Sequence, residues 1–160
     1  MDQGAVVYSF KLFIQRILGL LFFLLGSWWS LGLREILYFT LYIVTAVVCA
    51  VMMYRINSQT LRERKKVNTD SPIWDKVLLA VYWLAAYFFI YYAAGTQFKA
   101  DKQLDLIYWM GIMLYVAATV LTMSAMTANT FLESTARIQT DRDQKVCTKG
   151  PYAIPPTLLF

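Results

Sequence analysis

Four long apolar stretches alternate with short polar segments along the chain. They cover approximately residues 13–33, 36–54, 76–94 and 106–126. Each stretch is apolar around the whole circumference of a helix, which is typical of a transmembrane helix rather than of an amphipathic one. A bilayer core of about 30 Å is crossed by roughly 20 helical residues, so each stretch is long enough to span it. The pattern predicts an all-α, polytopic membrane protein with four transmembrane helices.

The composition agrees with a lipid-embedded chain. Of its 160 residues, 59% are hydrophobic and 16% are charged, and the mean hydropathy is +0.48. A soluble domain usually carries about 25% charged residues. We therefore expect one transmembrane region over residues 1–128, followed by a short cytoplasmic tail over residues 129–160.

The distribution of basic residues predicts the orientation of the helices. Twelve lysines and arginines lie in the N-terminal segment, the loop between the second and third spans, and the tail, whereas the opposite side has three, at Arg34, Lys99 and Lys102. Cytoplasmic loops carry the excess of basic residues, so both termini are expected in the cytoplasm. The net charge of +5 is then explained by loops that contact anionic lipid, and a nucleic-acid partner is not expected.

Several kinds of chemistry are excluded by the residue types present. The chain has no histidine and two cysteines, Cys49 and Cys147, which are far apart in the predicted topology. A disulfide, a metal site and a Ser-His-Asp or Cys-His catalytic arrangement are therefore not expected. The middle of each predicted span is free of ionisable side chains, which disfavours a proton relay, an ion-coupled transporter or a channel.

The polar tail carries the most specific sequence of the chain, `TANTFLESTARIQTDRDQKVCTKGPYAI`, over residues 127–154. Its first part continues the helical pattern, `TDRDQ` predicts a polar turn, `KVCT` a short extended segment and `KGPY` a tight turn. A solvated tail is one interpretation. However, such a tail has no need of an extended segment followed by a turn fixed by Gly150 and Pro151.

The stretch `NTFLES…RIQTDR…KVCTKGPYAI` resembles the isoprenylcysteine carboxyl methyltransferase family, a branch of the membrane methyltransferases that includes phospholipid N-methyltransferases. The segment `RERKK…WDKVLL` is also similar to bacterial members, and the resemblance is strongest over residues 129–154. It implies S-adenosylmethionine as methyl donor, bound on the cytoplasmic side beneath a lid formed by the tail. It also implies carboxyl methylation of a lipophilic, isoprenylcysteine-like acceptor that arrives from the bilayer.

The resemblance assigns cofactor-binding positions but no catalytic residue. Gln139 stands where the family has a cofactor-contacting glutamine, and Tyr152 of `GPY` stands at a further contact position. The extended segment whose backbone lines the cofactor corresponds to Gln144, Lys145, Val146 and Cys147.

The chain departs from the family pattern after `GPYAI`. The family continues with an Arg-His-Pro element, a tyrosine, further apolar helices and an Arg/Glu pair, whereas this sequence reads `PPTLLF`. We therefore expect the front half of a cofactor site, with weak or no binding of S-adenosylmethionine and little turnover. The alternative is a non-catalytic four-helix membrane scaffold or a degenerate family member.

Overall fold

The computed structural model describes residues 3–65, 72–99, 103–129 and 147–153, without the side chains of residues 59 and 62–65. All regular structure in these residues is helical. The elements are α1 (Gln3–Gly26), α2 (Leu33–Lys65), α3 (Ile73–Leu84), a π-helical segment (Ala85–Phe89), α4 (Ile90–Thr96), α5 (Leu106–Ala128) and a 3-10 turn (Gly150–Ala153).

Four helical stretches are long and apolar enough to cross a membrane, which confirms the predicted all-α, multi-pass architecture. They are Gln3–Gly26, Leu33–Ser58, Ile73–Thr96 and Leu106–Ala128. The third stretch is continuous through α3, the π-helical segment and α4. Their alternating directions place residues 3, 58, 73 and 128 at one end of the molecule, here called the tail end. The turn 27–32 and residues 97–99 and 103–105 lie at the other, the loop end.

The first span differs from its predicted position because α1 ends at Gly26 rather than near residue 33. Trp28 and Trp29 adopt left-handed backbone conformations, with φ of 53° and 60°, and Ser27 Oγ donates a hydrogen bond to the Ser30 carbonyl at 2.8 Å. The two indoles are 88% and 67% exposed. Exposed tryptophans are typical of the membrane interface, so this turn marks the boundary of the bilayer at the loop end.

α2 is interrupted at Asn57, whose φ of −152° and ψ of 68° are not helical. Asn57 Oδ1 accepts a hydrogen bond from the Thr60 backbone N–H at 3.3 Å, which is the geometry of an N-cap residue. Asn57 Nδ2 also donates to the Met126 carbonyl at 3.4 Å. The Asn57 side chain thus caps the last helical segment of α2 and connects it by a hydrogen bond to the end of α5.

Replacement of Asn57 by alanine is expected to lower the free energy of unfolding by about 1 kcal/mol, the usual cost of losing an N-cap. Asn57→Asp keeps the oxygen that accepts from Thr60 but cannot donate to Met126, so we expect a smaller loss. Thermal unfolding in detergent, followed by circular dichroism, compares the two variants. Equal stability of Asn57→Ala and the wild type would contradict the capping role.

Two clusters of buried side chains hold the helices together. The cluster at the tail end joins α1, α2 and α5 through Ala5, Tyr8, Met53, Leu61 and Met126. The aromatic cluster joins α1 and α2 through Phe23, Phe39 and Tyr42, with Tyr91 of α4 and Tyr115 of α5 packed against it.

The backbone of α3 stands away from the rest of the bundle. α1 packs on α2 and α4, and α5 packs on α2, but within the described residues α3 has no Cα within 8 Å of α1, α2 or α5. None of its residues is buried. A cleft therefore separates α3 from α5 in the half of the molecule nearer the tail end.

Candidate functional site

An arginine lies in the middle of the first span. Arg16 is 13 residues after Gln3 and ten residues before Gly26, which at 1.5 Å per residue is about 20 Å from one end and about 15 Å from the other. The expectation that no span carries an ionisable residue at its middle is therefore wrong. It followed from placing the first span over residues 13–33, where Arg16 falls near the end.

The guanidinium of Arg16 rests on the ring of Tyr42, with Cζ 3.9 Å from the ring centroid. Tyr42 is 1% exposed and is fixed by four other rings. Their centroids lie between 5.6 and 6.2 Å from that of Tyr42, and they belong to Tyr38, Phe39, Tyr91 and Tyr115. An aromatic face attracts a cation, so α2 supplies a rigid platform for the charge.

No carboxylate of the described residues lies within ion-pair distance of Arg16. The ion pair between described side chains joins Arg34 Nη1 to Asp105 Oδ2 at 3.8 Å, at the loop end. There the Tyr108 hydroxyl donates to the Arg34 carbonyl at 3.1 Å, and the Arg34 guanidinium lies 5.0 Å from the Tyr108 ring centroid. The two arginines thus differ: Arg34, at the loop end, has a carboxylate as well as a ring beside it, whereas Arg16, in the middle of a span, has a ring but no carboxylate among the described residues.

A cavity of about 490 Å³ opens beside Arg16. It extends from the tail end to the middle of the spans, between α1, α2, α3, the π-helical segment and α5. Its lining includes Tyr8, Arg16, Trp83, Tyr87, Tyr115 and Met126. Within the described residues, the separation of α3 from α5 leaves this cavity open sideways.

The described part of the tail, residues 147–153, packs on the end of α5. The Cys147 thiol donates to the Ala128 carbonyl at 3.5 Å, and the Tyr152 N–H donates to the Lys149 carbonyl at 3.2 Å. Gly150 has a φ of 58°, which favours glycine, and a Cβ at this position would lie 3.2 Å from Ala128 Cβ. The predicted `KGPY` turn is therefore present, and it lies against a transmembrane helix.

Two of the six predicted cofactor-binding residues can be located. Cys147 and Tyr152 are both half-buried and lie at the tail end. The other four lie outside the described residues, as does the predicted helical continuation after Asn129. They are Gln139, Gln144, Lys145 and Val146.

A second groove, of about 480 Å³, runs between α2 and α5 and includes Ser124 in its lining. The Ser124 carbonyl lies 3.9 Å from the position of a Cβ on Gly150. The tail segment therefore lies at the end of this groove. The cavity beside Arg16 shares Met123 with it, so α5 has the tail segment and both openings on its surface.

Arg16 was missed as a site residue by sequence reasoning, although one signal could have revealed it. Trp28 and Trp29 are adjacent in the sequence, and tryptophans often lie at the membrane interface. Counting back 12 residues from Trp28, about 18 Å along a helix, reaches Arg16. Comparison of the chain with protein-family models, with curated proteins and with solved structures finds no match in any of the three. The functional proposal below therefore rests on the sequence resemblance of the tail and on the geometry of the described residues.

Proposed function

We propose that this chain is an S-adenosylmethionine-dependent membrane methyltransferase that acts on the carboxylate of a lipophilic, isoprenylcysteine-like acceptor. The observation that carries the proposal is the tail segment. The `KVCTKGPYA` sequence resembles the methyltransferase family, and its described part, residues 147–153, has a turn at the end of α5. Two lipid-accessible openings lie along the same helix.

The described tail residues are compatible with the methyl donor. Tyr152 keeps part of its ring accessible, and an aromatic face can contact a flat base or a sulfonium cation. Gly150 permits a close approach of the backbone because it has no Cβ. Gln139, Gln144, Lys145 and Val146 complete the proposed contacts from outside the described residues.

The chemistry needs no histidine. The cofactor supplies a methyl carbon bound to a positively charged sulfur. An acceptor carboxylate, already ionised at neutral pH, would take this methyl group without a general base, because it has no proton to lose. The chain's contribution is to align the two reactants and to exclude water, which can lower the barrier by about 7–11 kcal/mol.

A lipophilic acceptor is supported by the open side of the bundle. α3 stands away from α5, and its outward residues include Ile73, Val77 and Val81, each more than half exposed. Such a gap allows an apolar chain to enter from the bilayer without passing through water.

A cytoplasmic tail end is supported by the basic residues. Lys11, Arg16, Arg55 and Lys76, and Arg34 on the opposite side, lie inside the spanning helices. Without these residues, eight basic residues remain on the tail side against two on the loop side. This asymmetry favours the cytoplasm for the tail end and gives the tail access to the cytosolic methyl donor.

The proposal is tested by calorimetric titration of the detergent-purified chain with S-adenosylmethionine. We expect weak but saturable binding, with a Kd of about 100 μM, and at least a tenfold loss in Tyr152→Ala, about 1.4 kcal/mol. Tyr92→Ala is the matched control, since this tyrosine is 45% exposed on α4, away from the tail. A folded wild-type protein that binds none would instead support the non-catalytic scaffold.

A further inference from the structure

We propose that the cavity beside Arg16 is a binding site for a monoanionic amphiphile from the bilayer. The oxyanion head would pair with the Arg16 guanidinium, and the apolar chain would lie in the cleft between α3 and α5. The cavity is the one proposed above as an opening for the acceptor, but this inference does not depend on methyl transfer, and its charged end at Arg16 lies about 20 Å along α1 from the tail end.

The first argument is the unbalanced charge. An arginine at the centre of a transmembrane helix is costly to insert into the bilayer, and such residues usually pair or line a functional pathway. Arg16 is half-buried, and it faces the cavity without a carboxylate partner among the described residues. The Tyr42 ring offsets part of this cost through its quadrupole, but it brings no negative charge.

The second argument is the shape of the backbone opposite Arg16. Residues Ala85–Phe89 form a π-helical segment, a local widening that occurs often at functional sites. Tyr87, in its middle, lines the cavity, and its ring stacks on Trp83 with centroids 4.7 Å apart. The Tyr87 hydroxyl has no hydrogen-bond partner in the described part of the chain, so it can donate to the same head group.

The chemistry of the head group follows from the number of charges. One guanidinium neutralises one negative charge, whereas a dianion would leave a net charge in a medium of low dielectric constant. The planar fork of an arginine matches two oxygens of a carboxylate or of a phosphodiester. The ligand is therefore a fatty-acid-like carboxylate or a phosphodiester lipid, and a phosphate monoester is disfavoured.

The apolar part of the ligand is argued from the size and the opening of the cavity. Its volume of about 490 Å³ falls within the 300–1,000 Å³ typical of small-molecule sites. Leu79 and Ala118 form apolar parts of the lining. The gap beside α3 connects them to the lipid.

The experiment uses dibrominated stearate, whose bromines quench nearby tryptophan fluorescence. Trp83 lines the cavity, whereas Trp109 lies near the start of α5, at the loop end. At about pH 9, where the carboxylate is ionised, we expect a saturable quenched component that is lost in Trp83→Phe and retained in Trp109→Phe. Arg16→Gln should raise the concentration for half-quenching about tenfold.

The uncharged methyl ester of the same brominated chain tests the role of charge in the wild-type protein, independently of how well Arg16→Gln folds. We expect about tenfold weaker quenching by the ester, and equal quenching by acid and ester would overturn the proposal. Oleate and lysophosphatidylglycerol, added as competitors, distinguish a carboxylate source from a phosphodiester source. No methyl donor is present, so this result is independent of the proposed methyltransferase activity.

Discussion

Replacement of Gly95 by leucine is expected to force α4 away from α1 and to lower the free energy of unfolding by about 3 kcal/mol or more, at the upper end for overpacked sites. Gly95 lies against Gly26, and a Cβ on Gly95 would overlap the Phe23 carbonyl oxygen and lie 3.0 Å from Gly26 Cα. These neighbours are backbone atoms, which cannot move aside as a flexible side chain could. Thermal unfolding in detergent measures the loss.

The matched control for this prediction is Gly111→Leu. Gly111 also lies inside a transmembrane helix, but a Cβ there would have no atom within 4 Å. We expect this variant to be as stable as the wild type or slightly more stable, because leucine has a better helix propensity than glycine. Comparable destabilisation of the two variants would mean that the close contact between α1 and α4 does not explain the loss of stability in Gly95→Leu.

Replacement of Tyr42 by alanine is expected to lower the free energy of unfolding by about 3–5 kcal/mol, the usual range when a large buried aromatic ring is removed. The ring is almost fully buried and contacts rings from α2, α4 and α5. Its removal also leaves the Arg16 guanidinium without its platform. Inside a membrane these contacts act through packing, since lipid chains are as apolar as the protein core.

Tyr42→Phe separates the ring from the hydroxyl. Phenylalanine keeps the ring contacts and the face under Arg16, so we expect most of the stability to remain. Unfolding of both variants in detergent, monitored by near-ultraviolet circular dichroism, gives the comparison. If Tyr42→Phe lost as much unfolding free energy as Tyr42→Ala, the hydroxyl rather than the ring would be the stabilising group, and the platform interpretation would be wrong.

The number and type of the helices could be predicted because a transmembrane helix depends on its own apolar length. The end of the first span could not, because the apolar run continues through `SWWSLGL` while the chain already turns at Ser27. Two tryptophans with positive φ make that turn. Such a conformation is uncommon for a bulky side chain, and the local sequence does not predict a positive φ at either tryptophan.

The candidate site could be predicted in part for a similar reason. The `KGPY` turn is a local feature, and the structure has a turn at Gly150 and Pro151, as predicted. The cavity beside Arg16 depends on contacts between residues far apart in sequence, such as Arg16 with Tyr42 and Gly26 with Gly95. The sequence of a single segment does not show which distant residues will be in contact.

The third span has a fixed part, α4, and a part that can rotate, α3. α4 is held against α1 by the paired glycines, whereas α3 has no such contact with α1, α2 or α5 among the described residues. The π-helical segment between them is the pivot. The 12 residues of α3 form an arm of about 18 Å, so a rotation of about 10° at the pivot displaces Ile73 by roughly 3 Å. A small change in the backbone near Tyr87 would thereby alter the width of the lateral entrance.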